Sequence, residues 1–226
     1  ILGETFDYGP YAFMETYDPN YICNHTDSHG RYSFSNQPSI AEWNCYALAS
    51  ALIDLFSEPE LRDILSKFND YFYDSLIEKY RKKLGFKSAQ DSDYDLILGL
   101  FEIMEIEKLD YTNTFRELSK VISSSDNFKL SEKFSIWLAS YKDRLSKDEN
   151  SIEESKILMD ENNPKYILRN YLAQSAIEDA EQGKAEKIDE LAKVLSNPFD
   201  DLGEFMEKFC QPAPKEQQNQ QLSCSS

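Results

Sequence analysis

Apolar residues recur at three- and four-residue steps along most of this chain, from Ile40 to Leu195, and that spacing admits helices as the main element. Pro38 suits a first helical turn with Asn36 as a capping oxygen, and Ile40, Trp43, Ala47, Leu48, Ala51, Leu52 and Leu55 make one wide apolar face, read as core. Cys45 lies off that stripe and reads as a small buried residue at a helix contact. Ser57-Glu58-Pro59-Glu60 carries a capping pattern, and the stripe from Leu61 to Tyr80 continues to a stop at Gly85. Asp91-Ser92-Asp93 opens a further helix through Met104, and Asp110 opens a shorter one with Phe115, Leu118 and Val121. Leu130, Phe134, Trp137 and Tyr141 form the next amphipathic stretch, whereas Lys147 to Ser155 reads as charged and exposed. Asn163-Pro164 restarts a helix that Gly183 ends, and Asn197-Pro198 stops the last one after Leu195. The expected fold is mainly α, with no strand-rich sheet after the first dozen residues.

Before the helices comes irregular backbone with most of the chemistry-bearing residues. Asp7-Tyr8-Gly9-Pro10 places a carboxylate on a turn that the glycine relieves and the tyrosine anchors, one way of aiming an acid at a divalent cation. The Asp-Phe-Gly aspartate of kinases holds magnesium against nucleotide phosphates in this manner. Cys23, His25, Asp27 and His29 alternate, so an extended strand would turn them to one side as zinc ligands; local hydrogen bonding in a loop is the favoured alternative, and no zinc is assigned. Arg116 reads as a structural partner for a helix-end carbonyl or an acid rather than a phosphate contact. Arg169-Asn170, set among apolar residues, reads as a hydrogen-bonded structural network.

Charge and cysteine usage narrow the partners. With 24 Lys and Arg against 41 Asp and Glu, the formal charge is −17, which argues against nucleic acid or an anionic membrane as the main partner. No apolar run has the length needed to cross a bilayer. Cysteines 23, 45, 210 and 224 show neither metal-ligand spacing nor a disulfide framework, so a reducing compartment is expected.

Taken together, Asp7–Glu15, Tyr17-Asp18-Pro19, Ile22–His25, His29–Phe34 and Asn36-Gln37-Pro38 resemble the selenoprotein O family, also called the YdiU family. Further matching blocks are Asp110–Arg116, Asn163–Ala173, Ser196–Phe199 and the terminal Ser223–Ser226. The resemblance implies a protein-kinase-like (pseudokinase) fold that transfers AMP from ATP to Ser, Thr or Tyr hydroxyls of other proteins. This chain would be its carboxy-terminal portion, without the amino-terminal lobe. Asp7 would bind Mg2+ (or Mn2+) bridging the ATP phosphates, while the catalytic base would lie upstream, so the fragment alone should be inactive. The opening Ile1-Leu2-Gly3, with no initiator methionine, agrees with that expectation. The expected divisions are 1–37, the metal aspartate and activation-segment-like loop; 38–210, the helical lobe; and 211–226, a mobile tail. Redox-related protein substrates are the implied partners, in the cytoplasm of a bacterium or the mitochondrion of a eukaryote. A conventional phosphotransferase and a noncatalytic helical binding module are the alternatives.

The ending Ser-Cys-Ser-Ser matches the family, in some members of which selenocysteine stands at the position of Cys224 with a cysteine three residues earlier. Gln221 occupies that earlier position here, which excludes a local redox pair. Cys224 is expected instead to reach Cys23 and make activity redox-sensitive, with two reduced thiols as the alternative.

Overall fold

The computed structural model describes residues 12–23, 26–122 and 131–217. Through them run α1 (Gln37–Ala51), α2 (Glu58–Leu65), α3 (Phe68–Lys83), α4 (Asp93–Glu107), α5 (Tyr111–Val121), α6 (Glu132–Ser146), α7 (Ile152–Asn162), α8 (Asn170–Glu181) and α9 (Glu186–Leu195). Among the described residues the extended backbone pairs only as an isolated antiparallel bridge, Thr16 to Asp110. The mainly α reading is borne out.

Local chemistry explains several helix ends. The Ser57 N–H donates to Glu60 Oε2 at 3.0 Å, one half of a capping box at α2. Asp110 caps α5 by accepting from the Asn113 N–H at 2.8 Å, and Ser131 and Ser151 cap α6 and α7 in the same way. After α3, Gly85 adopts φ +79°, and a Cβ there would stand 3.0 Å from the Ser155 carbonyl oxygen. Glycine is therefore required twice over, by the left-handed turn and by the close approach of α7.

The main core joins α3 to α7. Leu84, Phe86, Leu100, Met104, Phe115, Leu118 and Met159 are almost wholly buried there, and Met14 and Tyr17 from the amino-terminal segment complete it. Tyr141 stacks on Trp137 at 5.1 Å and donates its hydroxyl to the Leu84 carbonyl at 2.9 Å, which satisfies the polar end of a buried ring. A second cluster, with Tyr166, Leu172, Leu191, Val194 and Phe209, packs α8 and α9 against a 3-10 turn at Glu204–Phe209.

A polar network is buried beside the main core. Asp93, with no exposed surface, accepts from Arg81 Nε and Arg144 Nε at 2.6 Å each and from the Gln90 N–H at 2.9 Å. Burial alone would raise this carboxyl, but the hydrogen bonds from Arg144, Gln90 and Arg81 outweigh it and hold it below the usual range. Arg144 also lies over the Phe86 ring at 4.3 Å and donates to the Ser88 carbonyl at 2.7 Å.

Five local expectations need correction. The apolar stripe of α1 is not core: no residue of α1 or α2 is buried, and Trp43 and Leu55 are exposed, because α2 and α3 cover that face only in part. Cys45, expected to be buried, is half-buried. The stripe from Leu61 to Tyr80 belongs to two helices, broken at Ser66-Lys67 where the Ser66 hydroxyl donates to the Asp63 carbonyl at 2.8 Å. Lys147 to Ser155 is not wholly exposed, since Asp148 receives the Lys87 and Ser88 N–H groups at 2.8 and 3.0 Å and Ser155 is buried at the start of α7. Asn163 is extended rather than helical, and α8 begins only after Arg169. Beyond α9, Ala213 is buried and donates its N–H to Glu15 Oε2 at 3.1 Å.

Candidate functional site

The segment that follows Asp7 is fastened to the core on both sides. Around the Thr16–Asp110 bridge, the Tyr17 N–H donates to the Leu109 carbonyl at 2.9 Å and the Tyr111 N–H to the Glu15 carbonyl at 2.7 Å. Tyr17 stacks on Phe101 and Tyr111 at 5.1 and 5.9 Å, with Phe34 edge-on at 6.1 Å. Burial, helped by Tyr80, Glu105 and Asp18, pushes the Tyr17 phenol up to about 12, so this wall stays neutral.

A second clamp comes from Arg169, which is 1% exposed. Its NH1 donates to Asp110 Oδ2 at 2.7 Å and Glu15 Oε2 at 3.2 Å, while NH2 reaches Asp110 Oδ1 and Asn113 Oδ1 at 3.2 and 3.3 Å. The fork grips a carboxylate on each side of the bridge. This is the structural network that the sequence suggested for Arg169. Arg116 is structural too, with NH1 donating to the carbonyls of Asp160 and Asn163 at 3.2 and 3.1 Å.

The loop before α1 is stitched locally. Asp27 accepts the N–H groups of Arg31 and Tyr32 at 3.0 and 2.7 Å, and His29 Nδ1 meets the Ser28 hydroxyl at 3.0 Å. His25 lies outside the described residues. Asn36 does not cap α1 through its side chain but donates to the Gly30 carbonyl at 3.0 Å. Among the described residues, no three His, Cys, Asp or Glu side chains form a group able to hold a metal ion.

Between this loop and the helices opens a cavity of about 470 Å3, lined by Met14, Tyr21, Cys23 and Phe34 on one side and Lys83, Tyr111 and Asn163 on the other. Lys83 Nζ donates to Asn163 Oδ1 at 2.9 Å and the Asn162 carbonyl at 3.3 Å, and lies 4.7 Å from the centre of the Phe115 ring. Asn163 returns the contact by donating its amide to the carbonyls of Lys83 and Met159, both at 2.8 Å. Burial lowers the Lys83 ammonium to about 8. The unfolded chain then binds more protons than the folded one between pH 8 and the ordinary lysine value, so stability rises with pH across that interval. Urea titrations are expected to show a Lys83 contribution of about 2 kcal/mol between pH 8 and 10. Lys83→Met should remove that rise, and an unchanged pH slope in the variant would contradict this account.

Asp7 and Cys224 lie outside the described residues, so the structure brings neither to the cavity; Cys23 is half-buried in its wall. Sequence reasoning missed Lys83, since the last member of Arg81-Lys82-Lys83 reads as a solvated helix end. It also missed the Asp93–Arg144 pair, for which the sequence carries no local signal.

The family model described as protein adenylyltransferase SelO matches residues 1–196, a span that includes Asp7, the cavity wall and Arg169. The chain belongs to the SelO family. A relative in Stutzerimonas stutzeri, named protein nucleotidyltransferase YdiU, is 41% identical over 232 residues, covering 100% of this chain and 48% of that protein. Proteins with the same name in Pectobacterium carotovorum and Pseudomonas aeruginosa are 39% and 41% identical with the same coverage. The chain thus spans about half the length of the SelO-family relatives it matches. No described helix is long and apolar enough to cross a membrane.

Proposed function

We propose that this chain is the carboxy-terminal, helical part of a kinase-like protein adenylyltransferase that moves AMP from ATP to Ser, Thr or Tyr hydroxyls of other proteins. The observation that carries this reading is the SelO match across Asp7-Tyr8-Gly9-Pro10, followed directly by a segment clamped at Glu15–Tyr17. Asp7 is this chain's ligand for Mg2+ (or Mn2+). Magnesium keeps several waters and phosphate oxygens and takes one or two protein carboxylates, so a single aspartate is a fitting share. The ion would offset negative charge on the ATP phosphates. The protein's own contribution is positional: the Thr16–Asp110 bridge, Tyr17 and Arg169 fix the backbone that leads from the aspartate, and preorganised charge is worth more than charge that must be gathered. Cys23 and Cys224 form a disulfide when an external oxidant takes two electrons and two protons from the thiols, which makes the activity redox-sensitive; redox-related proteins are the proposed substrates. The named relatives are bacterial, and a cytoplasmic setting is proposed with them.

The test uses the full-length protein with ATP labelled at the α- or the γ-phosphate, magnesium present, and Asp7→Ala alongside. Protein should take up α-label, and Asp7→Ala should abolish it, a loss of at least about 100-fold. Uptake of γ-label alone would make this a phosphotransferase, and uptake of neither would favour a binding module. Run without reductant, the same samples should slow and yield a Cys23–Cys224 peptide; its consistent absence removes the redox element.

A further inference from the structure

The helices α1, α2 and α3 enclose an open groove of about 790 Å3, apart from the cavity lined by Cys23, Lys83 and Asn163. Its walls include Leu48, Phe56, Ile64, Tyr71 and Phe72, with Glu60 and Lys79 as its charged lining residues. Ile64 is 65% and Tyr71 73% exposed, in a chain of formal charge −17. A contiguous apolar patch of this kind on so acidic a chain marks a surface that another element covers.

What covers it follows from length and pattern. The whole of this chain aligns with 48% of the Stutzerimonas stutzeri relative, so somewhat more than half of that protein is further polypeptide. The stripe of α1 has the width of a face buried between helices, yet α2 and α3 cover it only in part and no residue of α1 is buried. We infer that this groove is the seat of an apolar helix face supplied by the half of the family-length protein that lies outside these 226 residues. Helices pack through such complementary ridges and grooves, and α1 and α2 are the two layers this chain leaves half-built. The surface rests on the family-length reading, and it is independent of whether AMP is the group transferred.

Hydroxyl-radical footprinting of the native full-length protein tests it, with the protein in denaturant as the reference for each side chain. Ile64 and Tyr71 should be oxidised about tenfold more slowly in the native protein, as in a buried interface. Rates within about twofold of the unfolded reference would overturn the inference. A photo-cross-linker at position 64 should capture residues outside this segment; capture only within it would count against the proposal. Protection that disappears on dilution to a monomer would assign the groove to a second copy instead. An intact mass equal to these 226 residues alone would also overturn it, while the labelled-ATP experiment would still report separately on the chemistry.

Discussion

Asp93→Ala is expected to lower the unfolding free energy by about 3–5 kcal/mol, because it removes the shared acceptor of two guanidinium groups from a buried site. Asp93 has no exposed surface, and the Arg144 side chain that faces it is only 5% exposed. Removing the acid leaves Arg144 with the Ser88 carbonyl and Asp148, whose Oδ2 stands 3.5 Å from NH1 but makes no hydrogen bond to it. A buried charge left without its main partner costs more than the pair itself contributes. Asp93→Asn keeps one acceptor and much of the shape, and should fall between wild type and alanine. Urea midpoints of the three proteins check the order, and an alanine variant within 1 kcal/mol of wild type, about the size of an exposed pair, would contradict the geometry.

Arg169→Met is the second large effect, an expected loss of about 3 kcal/mol with a local signature. Methionine retains much of the apolar stem but abandons the carboxylates of Asp110 and Glu15, which then sit close together without a cation. Arg169→Lys should rescue little, since a single ammonium cannot reproduce contacts made by two nitrogens of a planar fork. The distinguishing measurement is amide exchange. The N–H groups of Tyr17 and Tyr111, which hold the bridge, should exchange faster in Arg169→Met, while the Gln90 N–H bonded to Asp93 should not change. Uniform acceleration across the chain would mean that Arg169 serves general stability alone.

Much of the helical order was legible because its signals are local. The Ser57–Glu60 box, the Asp110 cap and the glycines at 85 and 183 act within four or five residues, and each stands where the pattern placed it. A similar box at Ser151–Glu154 marks the start of α7, but the charged run around it hid the signal. Asn163-Pro164 looked like a helix start because asparagine before proline often is one; here the asparagine amide is drawn to the carbonyls of Lys83 and Met159 instead. That competition depends on a residue 80 positions away and cannot be read from periodicity. The same holds for Asp93 and Arg144, 51 positions apart. Burial of the α1 stripe failed as an expectation for a different reason: periodicity shows which face wants cover, not which polypeptide provides it. At the candidate site, the sequence singled out Arg169 and Cys23 but passed over Lys83, whose environment is made by elements far along the chain.

The contact between Glu15 and Ala213 has a consequence for how the protein is made. The two residues are separated by 198 positions, yet the carboxylate of one accepts the backbone N–H of the other. At synthesis rates of about 5–20 residues per second, roughly 10 to 40 s pass between the appearance of the first partner and that of the second. During that interval the stretch leading from Asp7 has only part of its final attachment, and Arg169 arrives late as well. A chain that stops before residue 213 lacks this tie altogether.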